Sequence, residues 1–171
     1  MTGLTHVADV MAGGYYQRVP EGVRIDRVRG WLRSLGITVP DEFAPALARC
    51  ESGAEARFLW EFCTRSGVRV MDAEALGLPG NSPLVVFPQY VWDRYRVDFY
   101  LTSETRQIAI EIDGFSFHHV TPQQIEDDYA RQRRIVAGLC PVMRFTARDV
   151  FAGPAGCWRD VDAYFQTPRA A

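Results

Sequence analysis

Apolar residues recur along the chain with two different periods. Over residues 21–35, Val23, Ile25, Val28, Trp31, Leu32 and Leu35 fall at roughly helical spacing. Gly36 follows where a helix would stop, and Pro40 lies beyond it. A second helical pattern covers 54–66 and ends at Gly67. Strand-like runs then occupy 84–91, 95–101 and 107–113, the last two joined by a short polar connection suited to a hairpin. Thr121-Pro122 supplies an N-cap with proline at the first helical position, so a long helix is expected from there to about Gly138. A further short strand is predicted over 141–145 and a last helical stretch over 158–165. The order helix, three strands, helix, strand predicts an α/β fold: a small mixed sheet between helices. Residues 1–48 read as a helical extension, and the last few residues as a frayed tail.

Composition narrows the picture. At 171 residues, with 47% apolar and 23% charged, the chain suits one globular domain. A net charge of −2 argues against a non-specific nucleic-acid coat but leaves room for a local basic patch. All 19 basic residues are arginine, which GC-rich coding explains. The consequence is chemical: lysine Schiff bases, a Walker-type phosphate loop and a lysine general base are all excluded. No signal peptide or membrane span is legible, so a cytoplasmic protein is expected. Cys50, Cys63, Cys140 and Cys157 form no Cys-x-x-Cys pair and read as buried free thiols.

Candidate chemistry gathers on the strands. In 107–113, Ala109, Glu111 and Asp113 share one face, and Ile108, Ile110 and Ile112 the other. Asp98, between Val97 and Phe99, can approach Glu111 across the hairpin. Acids held together raise each other's pKa unless a cation lies between them, and oxygen-rich sites favour Mg²⁺ or Mn²⁺. The competing reading is a solvated strand face. Ser52-Gly-Ala-Glu55 has the form of a capping box, yet Glu55 also shares a helix face with Phe58, Leu59 and Phe62 and so needs a partner. His118, beside His119, follows Asp113 by five positions and is a candidate acid or base near neutral pH. On the long helix, Ile125, Tyr129, Ile135, Val136 and Leu139 form one apolar sector. Asp128 and Gln132 fall inside it and Arg131 at its edge, so Asp128 and Arg131 are expected to belong to the site or brace it. Arg131, Arg133, Arg134, Arg144 and Arg148 form the one basic concentration. It reads either as phosphate contact or as a solvated face balancing Glu126, Asp127 and Asp128.

The blocks Ser52-x-x-Glu55, Pro88-Gln89-Tyr90, Tyr95-Arg-Val-Asp98-Phe99, Glu111-x-Asp113-Gly114-x-x-x-His118, Asp128-x-x-Arg131 and Val142-Met-Arg144-Phe-Thr-x-x-Asp149-Val150 resemble an uncharacterised bacterial family. That family is related to the very-short-patch-repair endonucleases within the PD-(D/E)XK nuclease superfamily. The resemblance covers roughly residues 50–151. It implies a restriction-endonuclease-like core over 49–167, with residues 1–48 as an N-terminal extension. By carry-over, Asp98 and Glu111 bind the metal with the Ile112 carbonyl. Glu55, Asp113 and His118 complete the catalytic set, and Gln89 and Asp128 support it. Within the basic concentration, Arg131, Arg134 and Arg144 are the candidates for contact with nucleic acid. Asp113 stands where the superfamily usually has lysine, a replacement typical of this family. The zinc site of the repair endonucleases has no counterpart in the ligand pattern here.

The expected activity is therefore Mg²⁺- or Mn²⁺-dependent phosphodiester hydrolysis, on DNA before RNA. The alternatives are an inactive nuclease-fold module that binds nucleic acid or protein, and a nuclease effector of phage defence or a toxin system. A homodimer or protein partner could engage residues 1–48.

Overall fold

The computed structural model describes residues 20–64, 69–70, 84–114 and 121–166. His118, His119, Gly67, the Cys63 side chain, the first nineteen residues and the expected frayed end lie outside them. The elements are α1 (Glu21–Arg33), α2 (Ala44–Leu47), α3 (Gly53–Cys63), β1 (Arg69–Val70), β2 (Val85–Trp92), β3 (Tyr95–Thr102), β4 (Gln107–Asp113), α4 (Pro122–Gly138), β5 (Val142–Thr146), α5 (Ala147–Ala152) and α6 (Pro154–Gln166).

Local chemistry sets most of the boundaries. Gly36, at φ 76°, ends α1: its N–H meets the Arg33 carbonyl and the Ile37 N–H meets that of Leu32. Ser52 is extended and accepts from the Glu55 N–H, opening α3. Thr121 and Gln124 form a reciprocal capping box on α4, with Pro122 in the first turn. Thr146 and Asp149 do the same for α5, which begins directly at the end of β5.

The strands form one mixed sheet in the order β1-β2-β3-β4-β5. β2, β3 and β4 are a consecutive antiparallel meander, while β1 and β5 pair in parallel on its two edges. Helices cover both faces. On one, Phe58 and Phe62 of α3 and Trp158 of α6 pack against Phe99, Ile108, Ile110 and Ile112. The Phe62 and Trp158 ring centres are 3.7 Å apart. Val28, Leu32 and Leu47 of the extension join this same cluster. On the other face, Ile135 of α4 packs with Val85, Phe87, Val97, Tyr100, Ala109 and Cys140. Cys140 and Cys157 are buried free thiols, and Cys50 is buried too.

The long helix corrects one expectation. Of its predicted apolar sector, Ile135 is buried and Leu139 half-buried, but Ile125 is 44%, Tyr129 58% and Val136 49% exposed. Polar bonds fix the rotation of α4 instead. Arg131 reaches Glu111 and the Arg96 carbonyl, and Asp128 takes Arg144, which turns this polar side toward the sheet. No helix among the described residues is long and apolar enough to cross a membrane.

Candidate functional site

The β3–β4 ladder runs from Thr102↔Gln107 to Phe99↔Ile110 and stops there. Continued by one step, this register sets Asp98 against Glu111, as the hairpin reading anticipated. A side chain replaces the missing backbone partner: Asp98 Oδ2 accepts from the Ile112 N–H at 2.7 Å. The strands therefore part at the carboxylates. Glu111 is only 9% exposed, so its face of β4 is not a solvated one, while Ile108, Ile110 and Ile112 face the opposite cluster.

A second irregularity lies across β3. The β2–β3 ladder pairs Pro88 with Phe99 and Tyr90 with Val97, skipping Gln89 opposite Asp98. Gln89 has φ 54°, rare for a side chain with a Cβ. This left-handed residue inverts the strand's alternation. Tyr90 packs with Phe87 and Tyr100, with its ring 4.5 Å from that of Tyr100, and Gln89 turns toward α3. There its Nε2 donates to Glu55 Oε2 at 2.8 Å. Gln89 is 3% and Glu55 6% exposed. Gln89 Oε1 is buried with no hydrogen-bond partner among the described residues. Glu55 does act at the start of α3, but its carboxylate accepts from the Glu51 N–H at 2.8 Å, one residue before the N-cap.

Two arginines close the site toward α4. Arg131 Nη2 lies 2.7 Å from Glu111 Oε1 and 2.5 Å from the Arg96 carbonyl. Arg144, beside Glu111 in the β4–β5 register, grips Asp113 with two nitrogens, and its Nη1 lies 2.6 Å from Asp128 Oδ2. Asp128 and Arg131 thus brace the carboxylates, as their place on the helix suggested. Arg131 and Arg144 are committed to partners within the chain, whereas Arg134 is exposed. The Glu51–Arg96 ion pair, at 2.6 Å, went unforeseen. Its members are far apart in sequence, and nothing in their spacing announces contact.

Burial and mutual repulsion govern the electrostatics. Desolvation, then the charge of Asp98, pushes Glu55 up to about 7 against the N–H of Glu51 and the hydroxyl of Ser52. The same two causes push Glu111 up to about 7, opposed by Arg131. Burial raises Asp98 as well, despite the Ile112 N–H and the nearby Arg131. Asp98 is therefore the electrostatic link between the two glutamates.

Among the described residues, no three His, Cys, Asp or Glu side chains are grouped so as to hold a metal by themselves. The donor chemistry nevertheless fits a hard cation. The groups are all oxygens, one of them the orphaned Gln89 Oε1, and Mg²⁺ ordinarily takes only one or two carboxylates and fills its shell with water and phosphate. No family model, curated protein or solved structure matches this chain.

Proposed function

We propose that the chain is a metal-dependent nuclease, cleaving phosphodiester bonds in DNA before RNA, built on a restriction-endonuclease-like core. One observation carries the proposal: Glu55, Asp98 and Glu111 crowd one end of the sheet, and the two glutamates are pushed up to about 7. Carboxylates kept this dry and this close cost stability. A cation-binding role accounts for that cost.

Asp98 and Glu111, with the Ile112 carbonyl, are the groups that would hold Mg²⁺ or Mn²⁺; Glu55 and Gln89 stand behind them. When bound, such an ion polarises a phosphoryl oxygen and lowers the pKa of a water molecule. Glu55, titrating near 7, suits proton transfer at neutral pH. His118, five positions beyond Asp113, is the second group assigned to that task, on sequence alone. Arg144 holds Asp113 in a fixed orientation beside the site. Arg131 supplies positive charge next to Glu111, where a donor to a phosphate oxygen is worth roughly 10²–10³ in rate.

The test is nicking of supercoiled plasmid with Mg²⁺ or Mn²⁺. Cleavage should vanish in Asp98→Asn and Glu111→Gln proteins that keep their circular dichroism. Cleavage that persists in Asp98→Ala or Glu111→Ala overturns the proposal.

A second reading has its own support. Arg131 and Arg144 are already neutralised by acids, and the whole chain carries −2. This balance suits a nuclease-fold module that binds nucleic acid or protein without turnover. Calorimetry separates the two: no uptake of Mg²⁺ or Mn²⁺ at millimolar concentration favours the module.

A further inference from the structure

Helix α4 presents two different faces. One holds Ile135 in the core and Arg131 against Glu111. The other carries Ile125, Tyr129 and Val136, exposed along a single stripe, with Tyr129 one turn and Val136 three turns beyond Ile125. Tyr129, Gln132, Arg133 and Val136 follow the spacing i, i+3, i+4, i+7. With Ala137 they line a hollow of about 410 Å³. Four residues at that spacing make the socket that receives one side chain of a facing helix.

The charges beside the stripe are segregated along the helix. Glu126, Asp127 and Asp128 fall in its first half, and Arg131, Arg133 and Arg134 in its second. Asp128 and Arg131 are engaged on the sheet side. Glu126 and Arg133 are exposed on one flank of the stripe and make no ion pair with a described residue. Such a helix is complementary to itself when reversed.

We infer that this face is an interface between two copies of the chain, paired antiparallel through α4 about a two-fold axis crossing near Ala130. That axis sets Ile125 against the partner's Val136. It seats Tyr129 in the partner's hollow and brings Glu126 to the partner's Arg133. By symmetry each contact occurs twice. The inference is independent of the nuclease proposal, because the stripe contains none of the carboxylates.

One helix pair gives a modest interface, so the dimer should be weak, with a dissociation constant on the order of 10–100 μM. The test is sedimentation velocity of the full chain from about 10 to 500 μM, which brackets that range. The wild type should shift from monomer to dimer. Tyr129→Glu, at an exposed site that leaves folding intact by circular dichroism, should stay monomeric. Glu126→Arg places arginine against arginine twice and should weaken association roughly tenfold or more. Adding Arg133→Glu to Glu126→Arg should restore it, a rescue that only the antiparallel register produces. A wild type that is monomeric throughout overturns the inference. So does a dimer indifferent to Tyr129→Glu, or a charge swap that fails to rescue.

Discussion

Arg144 and Asp113 form a two-pronged ion pair between parallel strands: Nη2 lies 2.7 Å from Oδ1 and Nε 3.0 Å from Oδ2. A chain without lysine thus carries, beside its candidate site, an aspartate already neutralised by an arginine from the next strand. Because Arg144 also holds Asp128, it ties β4, β5 and α4 together.

Removing that tie leaves two carboxylates without their cation. Arg144→Met should cost about 1–3 kcal/mol, below the range for breaking a fully buried pair because these groups keep partial contact with water. Arg144→Lys should recover only part of it, since a single ammonium cannot reproduce the planar fork. Urea denaturation checks both; a loss under about 0.5 kcal/mol for Arg144→Met would mean the tie contributes little.

The two glutamates make stability depend on pH. Each is raised from an ordinary 4.5 to about 7, so between those values the folded chain binds more protons than the unfolded one. Stability therefore declines as pH rises through that window. Without divalent ions, the Glu55→Gln/Glu111→Gln double variant should match the wild type near pH 4.5. At pH 8 it should exceed it by up to about 3 kcal/mol per glutamate, less where the two are coupled through Asp98. Thermal denaturation at the two pH values measures this, and a variant that gains nothing at pH 8 contradicts the buried-carboxylate account.

Gln89 combines a left-handed backbone with a buried bond to Glu55. Gln89→Val forces a β-branched side chain into that conformation and loses the bond, for a cost of about 3 kcal/mol or more. Gln89→Gly relaxes the backbone and should cost less, about 1–2 kcal/mol, despite the same lost bond. The order of the two variants in urea midpoint is the measurement; equal costs would show that the backbone angle does not matter.

If Asp98 and Glu111 hold Mg²⁺ or Mn²⁺, the ion must compete with protons. The melting temperature should then rise on adding either ion, and rise more at pH 8 than at pH 6. Arg131 holds Glu111 down against its burial. Arg131→Gln should therefore push Glu111 higher and steepen the pH dependence of the metal-induced shift. An ion-induced shift independent of pH would place the ion elsewhere.

Much of the framework was legible in order and spacing. Thr121-Pro122 announced the start of α4, Gly36 the end of the α1 turn, and the alternation of Ile108, Ile110 and Ile112 the two faces of β4. Even the approach of Asp98 to Glu111 could be read, because a short hairpin fixes its own register. α5 was not foreseen as an element; the Thr146–Asp149 box that opens it was the available signal.

The sequence by itself determined which residues can act: carboxylates at Glu55, Asp98, Glu111 and Asp113, arginine in place of every lysine, and the helices and strands that carry them. These follow from local periodicity, capping and hairpin geometry, each settled within a few residues. Only the tertiary structure decided that Gln89 leaves its strand's alternation to meet Glu55. It also decided that Arg144 belongs to Asp113 and Asp128, and that α4 turns Ile125, Tyr129 and Val136 outward. The reason is competition at long range. A helical wheel weighs apolar residues alone, whereas in the fold Arg131 reaches Glu111 twenty residues away and Asp128 takes Arg144 sixteen residues on, contacts between separate elements that turn the polar side of the helix toward the sheet.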